Sequence, residues 1–246
     1  MENFWSRYKR NHAAVFGLFV VVLIIVMAIT ASFLYPEDPF RLVGKPLSKP
    51  LTNGFLLGSD SLGRDVASGI VHGAKTSLLI GFVATLVSVF IGIFFGAFAG
   101  YFGGIIDDIL MRVTEIFQTI PSFIFAILLV AIMKPSMSSI VIAIAVVSWP
   151  GVARLVRGEF LAVKNREFVQ ACHTLGMSDF RIMLREILPN CLSPIIVVGS
   201  LMVATAILIE SGLAFLGLGD PNIMSWGFLI GAGRTMLRSA WWVCTF

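Results

Sequence analysis

Apolar residues dominate this chain in long blocks, and the polar breaks between the blocks predict its elements. From Ala13 to Tyr35 the sequence runs 23 residues without a charge, longer than the 7–15 residues of a signal-peptide core and enough for the roughly 20 residues of a membrane-spanning helix. Arg7, Lys9 and Arg10 precede it and predict a cytoplasmic N-terminus. Residues 36–75 form the longest polar connection, which then lies outside. A second span is predicted over 76–102, with Gly92, Gly96 and Gly100 every fourth residue. Small residues at that spacing share one helical face and suit close helix packing in lipid, while a pore-lining role is the other reading. A third span over 114–133 contains Gln118, Thr119 and Pro121, and a kink is expected at Pro121. A fourth has its clean apolar core only at Ile140–Trp149, before Pro150 and Gly151, with helix continuing to about Val156. A fifth covers 192–216. The chain stops at Trp241–Phe246, where a sixth would begin, so the expectation is an all-α integral membrane protein of about six spans, five complete and the last truncated. It divides into residues 1–75 and a core of 76–246.

One stretch breaks the apolar pattern. Residues 164–190, KNREFVQACHTLGMSDFRIMLREILPN, carry seven charged side chains between two apolar spans. Phe168, Cys172 and Leu175 recur at i, i+4 and i+7, one apolar stripe of a short helix. Gly176 offers the left-handed conformation that ends a helix, and Ser178 is a good N-cap for a second helix. Phe180, Met183, Leu184 and Ile187 make its stripe, and Pro189 is expected to stop it. Two short helices in a polar elbow between spans imply a soluble partner on the cytoplasmic side, where Arg154, Arg157, Lys164, Arg166, Arg181 and Arg185 also place it.

Composition agrees with the pattern. Hydrophobic residues make up 57% and charged residues 13%, against about 25% charged in soluble domains. The net charge of +4 reflects cations in loops beside apolar spans, which points to topology and anionic lipid and away from nucleic acid. Cys172, Cys191 and Cys244 have no paired spacing, so neither a disulfide framework nor a metal site is indicated. No GxxxxGK[ST] occurs, so this chain is not expected to hydrolyse ATP. Neither GxSxG nor HExxH occurs, which disfavours a membrane enzyme. Glu210 sits inside the fifth span near its outer end; an ionisable residue there is a functional candidate, and an interfacial carboxylate paired with a polar group is an equal reading. Arg64 and Asp65 read equally as an outer contact or a loop salt bridge. Asp107, Asp108 and Arg112 read as topology and packing residues.

The elbow resembles the cytoplasmic loop of ABC importer permeases, whose signature runs EAA, three residues, Gly, nine residues, then I-x-L-P. Gln170, Ala171 and Cys172 occupy the EAA positions, Gly176 the glycine, and Leu188-Pro189 the end. Gln170 replaces the acid, Cys172 an alanine and Glu186 the isoleucine. Glu167, one turn earlier, stands where it could supply the missing charge. LGSDSLGRDVASGIVHGAKTSL (57–78), GYFGGIIDDILMRVTEIFQTIP (100–121), WPGVARLVRGEFL (149–161) and ESGLAFLGLGDPNIMSWG (210–227) are similar to the dipeptide, oligopeptide and nickel family, in its second, "C"-type membrane subunit.

That resemblance implies a permease forming half of a solute pathway at the inner membrane. The implied partners are a second permease, two ATPase subunits and an extracytoplasmic solute-binding protein. ATP and magnesium would be bound by the ATPases and no cofactor by this chain. The implied coupling surface comprises Glu167, Phe168, Gln170, Ala171, Cys172, Leu175, Gly176, Met177, Leu188 and Pro189, inside a loop spanning 154–190. Outside, Asp60, Arg64, Asp65, Glu210, Asp220 and Trp226 are candidates for an outer gate or a binding-protein contact. An amphipathic helix lying on lipid is the alternative for the elbow. For the whole chain the alternative is a stand-alone secondary transporter or channel, which would need intramembrane ionisable sites or inverted repeats.

Overall fold

The computed structural model describes residues 8–246, and among them there is no strand, only two isolated bridges at Thr52–Phe55 and Ser59–Asp65. The helices are α1 (His12–Leu34), α2 (Val66–Phe102), α3 (Gly104–Gln118), α4 (Ser122–Met133), α5 (Met137–Val163), α6 (Glu167–Thr174), α7 (Asp179–Ile182), α8 (Leu188–Phe215), α9 (Trp226–Gly233) and α10 (Trp242–Thr245). Among the described residues four helices are long and apolar enough to cross a membrane, or five if the bent pair α3–α4 makes one span. The protein is an all-α, multi-pass membrane protein.

Three expectations need correction. The third span is not one kinked helix: α3 and α4 meet at 79°. Pro121 stands just before α4, because proline has no N–H to donate and disfavours helical geometry in the residue before it. The fourth span does not end near Val156 but runs through Pro150 to Val163. The second helix of the elbow is not stopped by Pro189. Residues Met183–Ile187 form a π-helical turn, with the Leu188 N–H donating five residues back to the Met183 carbonyl. The widened turn absorbs the proline, whose missing N–H would otherwise leave a gap in a regular ladder. Helix therefore continues from Asp179 to Phe215, 37 residues in all.

The chain forms two compact units. The first contains the described residues up to Leu78 together with Pro221–Phe246. Val66, Ala240, Trp242 and Val243 are its core. Two indoles fasten it: Trp242 Nε1 donates to the Ser59 carbonyl in the loop at 3.1 Å and Trp226 Nε1 to the Ile70 carbonyl in α2 at 3.0 Å. His72 Nε2 lies 2.9 Å from the Tyr35 carbonyl oxygen and fastens the end of α1 to α2.

The second unit, Leu79–Asp220, has two apolar clusters. One joins Ile80, Ala84, Val130, Ile140, Ile144 and Leu213. The other joins Val152, Val156, Phe160, Val169, Ile182, Met183 and Ile187, so the elbow shares its core with the spans. The glycine stripe of α2 lies against α5. A Cβ built on Gly92 would stand 2.4 Å from Val152 Cβ, one on Gly96 2.4 Å from the Ala153 carbonyl oxygen, and one on Gly100 2.6 Å from Phe160 Cβ. Close helix packing is the role of this face, as lipid-embedded helices need when apolar area gives no net drive.

The candidate coupling elbow

The elbow is a short helix held between two long ones. α5 ends at Val163, α6 occupies Glu167–Thr174, and α7 begins at Asp179. Gly176 closes α6 at φ +74°, with its N–H donated to the His173 carbonyl at 2.9 Å and that of Met177 to the Cys172 carbonyl at 3.1 Å. Left-handed backbone at a helix end is where glycine has least strain. Ser178 stands at the N-cap position of α7, but its side chain makes no capping hydrogen bond.

Burial assigns the stripes differently from periodicity. Val169, Ile182, Met183 and Ile187 are the buried anchors, with Cys172, Met177 and Leu188 packed against them. Phe168 is 38% exposed, Leu175 80% and Phe180 61%. Glu167, Gln170, Ala171, Gly176 and Pro189 are exposed as well. Phe168 and Leu175, expected with Cys172 on one stripe, thus face outward. The expected second stripe splits too: Met183 and Ile187 point in, Phe180 and Leu184 out. An apolar residue costs free energy when left in water, about 25 cal/mol per Å². Phe168, Leu175, Phe180 and Leu184 are four such residues on the elbow.

Polar bonds set the elbow's position. Tyr101, one residue before the end of α2, donates its hydroxyl to Asp179 Oδ1 at 2.7 Å. Its ring stacks on His173 at 6.3 Å between centroids, and its carbonyl accepts from Lys164 Nζ at 3.4 Å. Higher on α5, Arg157 grips Asp107 of α3 with two bonds, Nε to Oδ1 at 2.5 Å and Nη2 to Oδ2 at 2.6 Å. Such a paired geometry fixes α3 against α5. Asp107 is thus the packing residue expected, but its partner lies 50 positions away. Tyr101 and Arg157 were missed for the same reason: no short-range spacing signals a bond across 50 or 78 residues.

The outer candidates are divided between the two units. In the first unit, Asp60 is buried and accepts the N–H groups of Leu62 and Arg64. The Arg64 guanidinium lies over the rings of Phe40 and Phe228, at 5.0 and 5.8 Å. Its Nε stands 4.0 Å from Asp60 Oδ2, so its charged neighbour is Asp60 and not Asp65. Asp65 accepts from the Ala67 N–H at the start of α2. Burial raises its carboxyl pKa, against the Ala67 and Ser68 N–H groups that favour the charged form. The Trp226 backbone N–H donates to Ser77 Oγ at 3.1 Å. In the second unit, Asp220 accepts the Met137 N–H at 3.0 Å and so caps α5. Glu210 is 1% exposed, on the α8 face that also buries Ala206 and Leu213. Asp60, Asp65 and Asp220 thus accept backbone N–H groups of their own units.

The fold has a likeness among solved structures. A chain of the MetNI methionine ABC transporter, in an inward-facing conformation, superposes with a TM-score of 0.57. The match covers 68% of this chain and 80% of that one at 17% identity, a likeness of fold. The sequence goes further. The family described as "Binding-protein-dependent transport system inner membrane component" matches residues 92–242, and the "N-terminal TM domain of oligopeptide transport permease C" matches residues 1–49. The dipeptide transport system permease protein DppC of Bacillus subtilis is 40% identical over 98% of this chain and 76% of its own length. DppC of Escherichia coli is 41% identical over 100% of this chain and 84% of its own. The oligopeptide permease OppC of Escherichia coli is 40% identical over 98% of this chain and 80% of its own. The chain belongs to the binding-protein-dependent family of ABC importer permeases, in its dipeptide and oligopeptide branch.

Proposed function

We propose that this permease forms half of the pathway for peptides or similar small solutes through the inner membrane, its N-terminus cytoplasmic. A second permease would supply the other half and an extracytoplasmic binding protein the solute. Two ATPase subunits carrying ATP and magnesium would drive it, this chain itself being non-catalytic. The names of the 40%-identical relatives support peptides as the solute class. Phe168 and Leu175 would fill a groove on the ATPase, with Glu167 and Gln170 at its rim.

The observation that carries the coupling role is an elbow that exposes Phe168, Leu175 and Phe180 while burying Val169, Ile182 and Ile187 in the span core. A helix lying flat on lipid fits less well. The 37-residue helix from Asp179 to Phe215 is about 55 Å long at about 1.5 Å per residue, against about 40–45 Å for a bilayer with its headgroups. Standing upright with Phe215 at the outer edge, it lifts the elbow clear of the inner headgroups.

Leu175→Asp tests this reading. The side chain is 80% exposed, so insertion and folding should be unchanged. Import by the assembled transporter should fall at least about tenfold, and co-purification of the ATPase should weaken, because a charge entering an apolar groove is costly. Normal import would remove the coupling surface from this face. Glu167→Gln in the same assay asks whether that carboxylate replaces the acid absent at Gln170; unchanged import coupled to ATP hydrolysis would assign it no such role.

A further inference from the structure

We infer that Tyr101 is a positioning residue for import, a polar clasp through which the elbow's movement is handed to α2. This rests on the coupling role proposed above. Three separate parts of the elbow converge on this residue: Lys164 at the end of α5, His173 in the last turn of α6, and Asp179 at the start of α7. Each uses a different part of Tyr101, namely the carbonyl, the ring face and the hydroxyl.

The chemistry of the contacts separates this clasp from the core beneath it. The remaining packing of the elbow near α2 is apolar: Ala97 shares a buried cluster with Val169, and Phe98, Tyr101, Cys172 and Met177 pack against that cluster. Apolar contact is non-directional and lets surfaces slide. A hydroxyl bonded to a carboxylate is directional and short, here 2.7 Å, and bonds to charged acceptors are stronger than neutral ones. His173 Nδ1 stands 4.0 Å from the same Asp179 oxygen, so ring and carboxylate both lie at the Tyr101 side chain. A push on α6 then reaches α2 without slack. Within this second unit, α2 lies with Gly92, Gly96 and Gly100 tight against α5, so displacement of its end must move or bend a packed pair of helices. Discrete rearrangement of packed elements is how such movements are transmitted.

The test is a double-mutant cycle in the complete reconstituted transporter, with Tyr101→Phe, Asp179→Ala and both together. The readout is dipeptide moved per ATP hydrolysed, alongside ATP hydrolysis in the absence of solute. Tyr101→Phe keeps the ring on His173 and removes only the hydroxyl, so assembly and solute-independent hydrolysis should be retained. Transport per ATP should fall by roughly three- to tenfold, the effect of losing about one solvent-exposed hydrogen bond. The double variant should be no worse than the more severe single one, which identifies the bond as the shared cause. Unchanged stoichiometry in Tyr101→Phe overturns the inference, as do single effects that multiply in the double variant. If Leu175→Asp abolishes import while the cycle is flat, the coupling surface stands and the clasp falls. Normal import in Leu175→Asp overturns the coupling surface, and the clasp's part in import with it.

Discussion

Replacing Gly176 with proline should abolish import and its coupled ATP hydrolysis while leaving the protein in the membrane. Gly176 has φ +74°, whereas proline is locked near −65°. Proline also lacks the N–H that Gly176 donates to the His173 carbonyl at 2.9 Å. It further disfavours the near-helical geometry of Leu175, whose φ and ψ are −77° and 0°. Three incompatibilities at one residue force the elbow to rebuild, and Leu175 is the most exposed apolar side chain on it. The spans should survive, because the buried anchors Val156, Phe160 and Ile187 lie outside the turn. Gly176→Ala makes the comparison quantitative. No atom lies within 4 Å of a Cβ at this position, so the cost is backbone strain alone, about 1–2 kcal/mol, and import should be reduced but measurable. Insertion assayed by protease protection, with transport and ATP hydrolysis in vesicles, separates these outcomes. Full import by the proline variant would show that the elbow's shape is immaterial.

Gly96→Leu should prevent folding of the second unit. A Cβ there stands 2.4 Å from a backbone oxygen of α5 and 2.7 Å from Val156 Cβ, so alanine alone should be destabilising. Helix propensity favours that change by about 1 kcal/mol, yet overpacking costs typically about 1–3 kcal/mol and more when backbone must move. Backbone is the obstacle here, so the clash wins. Leucine adds three more carbons to the same gap and should leave little folded protein in detergent. Gly158, on α5 with nothing within 4 Å of its added Cβ, supplies the control. Gly158→Ala should be neutral or stabilising by up to about 1 kcal/mol. Thermal unfolding in detergent distinguishes the positions, and equal melting of Gly96→Ala and Gly158→Ala would contradict the α2–α5 packing.

The sequence by itself determined the membrane class, because runs such as Ala13–Tyr35 cannot be dissolved in water and are long enough to span. It also located the elbow at 164–190 and the glycine at its turn, since charge breaks and helix-ending residues act locally. The family resemblance was legible in the same segments. The role of Gly92, Gly96 and Gly100 was half legible: spacing placed them on one face, and only the structure showed α5 pressed against it.

Tertiary structure decided the rest, for physical reasons visible at particular residues. Pro121 and Pro189 carry the same local information, the loss of an N–H. One stands at a 79° break and the other sits in a continuous helix, because a π turn with a bond from Leu188 to Met183 accommodates it. Phe168 and Val169 are adjacent apolar residues, and the neighbouring α5 and α8 decide which one is buried. Asp107 and Arg157, and Tyr101 and Asp179, meet across 50 and 78 residues. Local propensity records what a segment can form; partners at that distance exist only once the helices have packed.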